Sequence, residues 1–137
     1  PLQVQLAQRG YRRVMAACVR EGLAVLRAAK IKPWLDAPLP PSWLPSLLEL
    51  PDAIFARVAR SLVAVDPNAR SSMWEDLQRG RKTEVDLLNG EIVRLGAQLD
   101  VPTPINQRIV DLVKEAEHRG APPSLGAGEL QKLVLHP

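Results

Sequence analysis

Thr83-Glu84-Val85-Asp86-Leu87-Leu88-Asn89-Gly90-Glu91-Ile92-Val93-Arg94-Leu95-Gly96-Ala97-Gln98-Leu99 carries the strongest periodicity in the chain. Val85, Leu88, Ile92, Leu95 and Leu99 recur at alternating steps of three and four residues, which aligns them along one side of a 3.6-residue turn. The spacing predicts a helix over 83–99 at the centre of the core. Thr83 is its expected N-cap, with Asp86 in the capping-box position as a shorter substitute for Glu.

On the C-terminal side, Val101-Pro102-Thr103-Pro104 breaks the chain and restarts it, Thr103 as a cap and Pro104 at the first helical position. Ile105, Ile109, Leu112, Val113 and Ala116 then face inward, and His118, Arg119 and Gly120 are typical helix-ending residues. Beyond Pro122-Pro123 lies a short apolar segment, Leu125 to Leu135, whose periodicity leaves its secondary structure open. On the N-terminal side, a short helix is expected over 68–78, ended by Gly80 in the left-handed conformation. Before it, Ile54, Phe55, Val58, Leu62 and Val65 form a helix after Pro51, closed by Asp66-Pro67.

Arg9 to Ala29 predicts a further helix, with Val14, Cys18, Val19, Gly22 and Leu26 on one face and charge on the other. Six prolines from Pro33 to Pro51 interrupt helical hydrogen bonding. Trp34, Leu35, Trp43, Leu44, Leu47 and Leu48 are nonetheless too apolar for a solvated linker, so an ordered irregular segment is expected, with a short helix over 42–50. No β-branched alternation or two-residue hairpin signal occurs. The chain is all-α, a helical bundle without internal repeats.

Composition narrows the function. The 137 residues suit one domain, and 46% hydrophobic with 24% charged residues is the balance of a folded soluble protein. The longest apolar runs fall far short of the roughly 18 residues that cross a bilayer. The N-terminus carries no secretory pattern, so a cytoplasmic home is expected. The single Cys18 cannot form an internal disulfide, and with His118 and His136 it supplies too few ligands for a closed zinc site. The net charge of +3 is scattered, apart from Arg79, Arg81 and Lys82, and no aromatic interleaves that group, which argues against nucleic-acid binding. Neither type of glycine-rich phosphate cradle is present, and two histidines near the C-terminal end give no credible Ser-His-acid set. Cys18 lies on an apolar stripe, where a small buried hydrophobe is the expected role.

The polar stretch Ser71 to Gly90 remains. Two helix beginnings flank one tight turn, so Ser72 near one and Glu84 near the other are candidates to face a small polar ligand at positive helix ends. An ionised Glu84 would accept strongly from a ligand hydroxyl. Plainer readings stand beside these: Ser72 in a capping box with Glu75, Glu84 as a solvated first-turn acid, Arg81 and Lys82 as surface charges, Asp76 as their ion-pair partner. Asn89-Gly90 would mark the close approach of a neighbouring helix.

The pattern S-S-M-x-x-D-x-x-x-G-R-x-T-E-[IV]-D-x-[LI]-N-G over Ser71 to Gly90, followed by V-P-T-P-x-N over Val101 to Asn106, resembles the C-terminal domain of ketopantoate reductase (2-dehydropantoate 2-reductase). A similar helical layout extends from about Arg12 to about Glu117. The resemblance implies the helical fold of ketopantoate reductase and 6-phosphogluconate dehydrogenase-like proteins, with residues 1–137 as the substrate-side domain following an N-terminal Rossmann domain. It implies NADP-dependent reduction of 2-dehydropantoate to pantoate, toward pantothenate and coenzyme A, in a cleft between the domains. On matching positions Ser72 would hydrogen-bond the substrate and Glu84 would hold its hydroxyl as the catalytic residue. Asn68 stands one residue before the place of the family's substrate-contacting asparagine, which Ala69 occupies.

The implied partners are a 2-keto acid and the Rossmann domain, which would hold NADP, with a homodimer possible and no nucleic acid or membrane. The family's general-acid lysine has no counterpart, since Lys30, Lys32 and Lys82 are not followed by asparagines at helical spacing. With the proline start, this predicts a fragment or truncated homologue, inactive by itself. The alternatives are a relative acting on another 2-keto acid and a non-catalytic helical interaction domain.

Overall fold

A long amphipathic helix organises the molecule. In the computed structural model, which describes residues 2–34, 39–62, 72–121 and 124–136, and no side chains for 2–4, 60–62 and 74, Arg9–Ala28 form α2, preceded by α1 (Leu2–Ala7). A short 3-10 turn, Pro41–Trp43, leads into α3 (Leu44–Leu48), followed by α4 (Asp52–Leu62), α5 (Ser72–Gln78), α6 (Asn89–Gln98), α7 (Pro104–Arg119) and α8 (Ala127–Leu135). No strand occurs among the described residues, and none of their helices is long and apolar enough to cross a membrane.

The all-α expectation and the helix starting at Arg9 hold, as do Pro104 at the start of α7 and the short helix within 42–50. Gly80 (φ 63°) takes the left-handed conformation expected of it, and Gly120 (φ 68°), a helix-ending residue as expected, adopts the same conformation after α7. The close of the predicted helix near Val65 and Asp66-Pro67, and the start of the 68–78 helix, lie outside the described residues. Leu125 to Leu135 contains a helix, α8, whose Glu129 carboxylate accepts from the Gly126 N–H at 2.8 Å.

The centre of the bundle differs from the sequence expectation. It is α2, packed against α1, α3, α6, α7 and α8, and not the segment 83–99. Gly10 lets α8 approach closely, for a Cβ there would sit 3.0 Å from the Ala127 Cβ. Ala16 joins Leu48 and Phe55 in a buried cluster flanked by Leu6, Leu44, Leu47, Leu50 and Ala59. Full burial contributes about 1.5–3 kcal/mol for a side chain the size of Leu48 or Phe55.

Arg12 departs from the expected charged outer face of this helix, because it is completely buried. Its Nη1 donates to the Leu6 carbonyl at 2.8 Å, its Nε to Leu48 at 2.9 Å and its Nη2 to Leu50 at 2.6 Å. Nη2 also meets the Asp52 carboxylate at 2.9 Å, and the guanidinium carbon lies 4.2 Å from the Phe55 ring centre. These acceptors belong to the end of α1, the end of α3, the link that follows it and the first turn of α4. One cation thus satisfies carbonyls that helix ends leave without intrahelical partners.

The predicted helix over 83–99 is also shorter than expected. α6 begins at Asn89, and residues 84–88 form a turn. Val85 is buried, but Leu88 is 50% exposed and does not join the seam. The glycine that brings helices together here is Gly96, whose added Cβ would lie 2.8 Å from Thr103 Cγ2 and 3.3 Å from Val25 Cγ2. Gly90 approaches only the preceding turn, with the Val85 carbonyl 3.4 Å from such a Cβ, so it marks no neighbouring helix.

Candidate functional site

The stretch from Ser72 to Asn89 is assembled in three steps. First, α5 carries exposed Ser72 at its first position and is anchored by Leu77, which is buried. Its end is defined by the Arg81 N–H donating to the Asp76 carbonyl at 2.8 Å and the Gly80 N–H to Leu77 at 3.1 Å, the paired bonds that surround a left-handed residue. Asp76 therefore contributes its carbonyl to the turn, while the ion pair on α5 joins Glu75 to Arg79 at 3.9 Å. Arg81 and Lys82 are exposed, as expected.

Second, the chain is tied to α7. The Thr83 N–H and hydroxyl both donate to Glu117 Oε1, at 2.7 and 2.8 Å. The backbone bond, the hydroxyl and nearby Lys114 hold the Glu117 carboxyl below its ordinary value. Three residues earlier on α7, Lys114 Nζ donates to Asp86 Oδ2 at 2.8 Å, which raises the Lys114 value. Between these two attachments Val85 is 1% exposed.

Third, the Glu84 carbonyl accepts from Leu87 and Leu88 N–H at 2.9 and 3.1 Å, and the Val85 carbonyl from Gly90 at 2.9 Å. The resulting turn leaves the Glu84 side chain exposed, with no ion pair or hydrogen bond to another described residue. It also exposes Leu87 (76%) beside it.

The helix-dipole argument for this site is corrected by the geometry. Glu84 lies five residues before Asn89 and so outside the first turn of α6, where the dipole acts. Thr83 caps no helix, because its hydroxyl is directed to Glu117, although it also accepts from the Val85 N–H at 3.3 Å. Ser72 starts a helix of only seven residues. Asn68 lies outside the described residues. Neither of two surface cavities, one of 540 Å³ lined by Trp43, Leu47, Leu50 and Val58 among others, the second of 390 Å³ between Arg108, Leu112 and Leu133, includes Ser72 or Glu84.

A partly buried polar network centred on Asn106 escaped sequence reasoning. Asn89 Nδ2 donates to Asn106 Oδ1 at 2.8 Å, and Asn106 Nδ2 donates to Glu21 Oε2 at 2.7 Å and to the Cys18 carbonyl at 3.2 Å. The two Glu21 oxygens accept from the Ile105 and Asn106 N–H groups at 2.8 Å each. Glu21 thereby serves as the acid at the start of α7, a role expected of Thr103, which makes no side-chain cap bond. The available signal was an acid set within an apolar stripe, between Cys18 and Gly22.

The family model described as ketopantoate reductase PanE/ApbA C terminal matches residues 2–117. The chain belongs to this family. Among curated relatives, each called 2-dehydropantoate 2-reductase, the protein of Caulobacter vibrioides is 36% identical over 107 residues, covering 78% of this chain and 31% of the relative. That of Archaeoglobus fulgidus is 36% identical over 62 residues, 45% of this chain and 21% of the relative. That of Aquifex aeolicus is 50% identical over 46 residues, 34% of this chain and 14% of the relative. The ketopantoate reductase C-terminal domain thus accounts for most of the chain, while the match spans under a third of each of these reductases.

Proposed function

We propose that this chain is the substrate-side helical domain of an NADP-dependent 2-dehydropantoate 2-reductase, converting ketopantoate to pantoate in the cytoplasmic route to pantothenate and coenzyme A. In this reading an N-terminal Rossmann domain binds the cofactor. The residues described here do not suit the nucleotide, since the chain has no glycine-rich cradle and no strand occurs among the described residues to present one. NADPH, where bound, supplies the hydride. This chain's own contribution is to bind and orient the keto acid: Glu84 accepts from its hydroxyl, Ser72 donates to it, and Asn68 is a further contact.

One observation carries the proposal. Within the family-matched stretch, Thr83 and Asp86 are committed to α7 while the Glu84 carboxylate between them is exposed and unpaired among the described residues. An acid held in a fixed turn without a protein partner is available to a ligand. Exposed Leu87 beside it offers an apolar surface for the second domain to cover.

The test uses the full-length protein that carries this chain. Glu84→Ala lowers kcat for the keto acid by about 10²–10³-fold, the loss typical of removing one preorganised polar contact, and leaves NADPH affinity within about twofold. Unchanged turnover would overturn the assignment. It would favour a non-catalytic interaction domain. A greater turnover with a different 2-keto acid would instead identify a relative with another substrate. The separated domain is inactive in this proposal, and sedimentation tests whether its exposed apolar surface drives dimerisation.

A further inference from the structure

We infer that Glu117 is a positioning residue for Glu84, acting through Thr83. The inference rests on the reading of Glu84 given above and deepens it. Within the turn over 84–88 the backbone is shaped by bonds from the Leu87, Leu88 and Gly90 N–H groups and by the Val85 N–H, which donates to the Thr83 hydroxyl. Its location relative to the bundle comes from α7. Glu117 Oε1 accepts both Thr83 donors, the backbone N–H at 2.7 Å and the hydroxyl at 2.8 Å, across 34 residues of sequence. Lys114, three residues earlier and therefore on the same side of α7, holds Asp86. The two attachments flank Glu84 by one residue and by two.

This arrangement fixes the backbone on both sides of the acid while leaving its carboxylate unoccupied. Placement is what such a group requires, because a displacement of about 1 Å at a reacting centre costs on the order of 100-fold in rate. These bonds are part-buried and end on a charged acceptor, so their loss lowers stability somewhat without unfolding the chain. Removing Glu117 should therefore release Glu84 from its position in a protein that remains folded. The backbone N–H of Thr83 makes the shorter of the two bonds and is the main cause of the lowered Glu117 value, and it is kept by every substitution at position 83 except proline.

The inference is tested in the full-length protein with 2-dehydropantoate as substrate. Glu117→Ala lowers kcat/KM about 10–100-fold, with a melting temperature only a few degrees lower, and speeds hydrogen exchange of the Thr83 amide. Glu117→Gln, which keeps the acceptor oxygen, restores kcat/KM to within about threefold of the parent. Glu84→Ala combined with Glu117→Ala is no slower than Glu84→Ala by itself, because one effect runs through the other. Multiplying losses in the double variant, or an unchanged Thr83 exchange rate in Glu117→Ala, overturns the inference. So does a normal kcat/KM in Glu117→Ala when Glu84→Ala is impaired, a result that leaves the proposed function standing. A silent Glu84→Ala removes both. Thr83→Val, which deletes the hydroxyl donor and retains the N–H, gives a smaller loss than Glu117→Ala, and an equal or larger loss would contradict the division between the two donors.

Discussion

The guanidinium of Arg12 is sealed in the bundle, donating to three carbonyls and pairing with Asp52 over the face of Phe55, whereas the carboxylate of Glu84 is exposed and its neighbours are the residues that are bound. Each is surrounded by a dense set of polar contacts. Around Arg12 the contacts end on the charge itself, so its interactions are consumed in joining α1, α2, α3 and α4. Around Glu84 they end on residues 83 and 86, so the charge is located without being used. The contrast separates a structural ion from one available to a ligand, by asking where the hydrogen bonds terminate.

The largest effect expected from this comparison is at Arg12. Arg12→Ala leaves three carbonyls without their buried donor and should lower unfolding stability by about 3–5 kcal/mol in denaturant titration. Glu84→Ala should change stability by less than about 0.5 kcal/mol in the same measurement. Similar stability losses at both positions would erase the distinction. At the contact of α6 with α2, Gly96→Ala puts a Cβ 2.8 Å from the Val101 carbonyl, which the backbone must move to accommodate. A net loss of about 1–3 kcal/mol is expected despite the better helix propensity of alanine.

Acid provides a smaller perturbation. Glu117 titrates below the usual 4.5 in the folded chain because Thr83 donates to its ionised form, and Glu49 does so because Arg20 bonds to it. A lowered folded value means that the stabilisation is fully present above the unfolded value and disappears as pH falls through the folded one. Stability should therefore decline with falling pH below about 5, and Glu117→Gln should make that decline shallower. An identical slope in the variant would show that the Thr83 contact does not favour the charged acid. The smallest signal concerns Cys18, whose thiol is pushed up to about 12 by burial and then by the Glu21 charge. Cys18 is half-buried, so labelling with a thiol reagent at pH 8 should be much slower in folded than in unfolded protein, and equal rates would contradict the raised value.

Much of the fold follows from local chemistry that one sequence displays. The apolar repeat from Val14 onward, Pro104 after Thr103, and glycines at 80 and 120 each specify a helix or its end through neighbours a few residues away. The errors share a non-local cause. Thr83 has the composition of an N-cap, but its donors find Glu117 on another helix, and the chain stays in a turn until Asn89. Arg12 looks like a solvent-facing charge until α1, α3 and the link after α3 bring carbonyls to it and α4 brings the Asp52 carboxylate. Glu21 appears misplaced in an apolar stripe until the α7 N–H groups arrive. The candidate site was legible as a set of identities, Ser72 and Glu84 within the Ser71 to Gly90 pattern. The means of holding Glu84 was not, since it depends on partners 28 to 34 residues away.

The family pattern stops at residue 117, yet the bundle is closed by residues that follow it. α8 lies along α2 at Gly10, Tyr11 gives its hydroxyl proton to the Leu125 carbonyl at 2.7 Å, and Val134 is almost entirely enclosed. Cutting the protein where the recognisable signature ends would strip the lid from its longest helix. The stretch that carries the family pattern is therefore shorter than the stretch that packs together in this molecule.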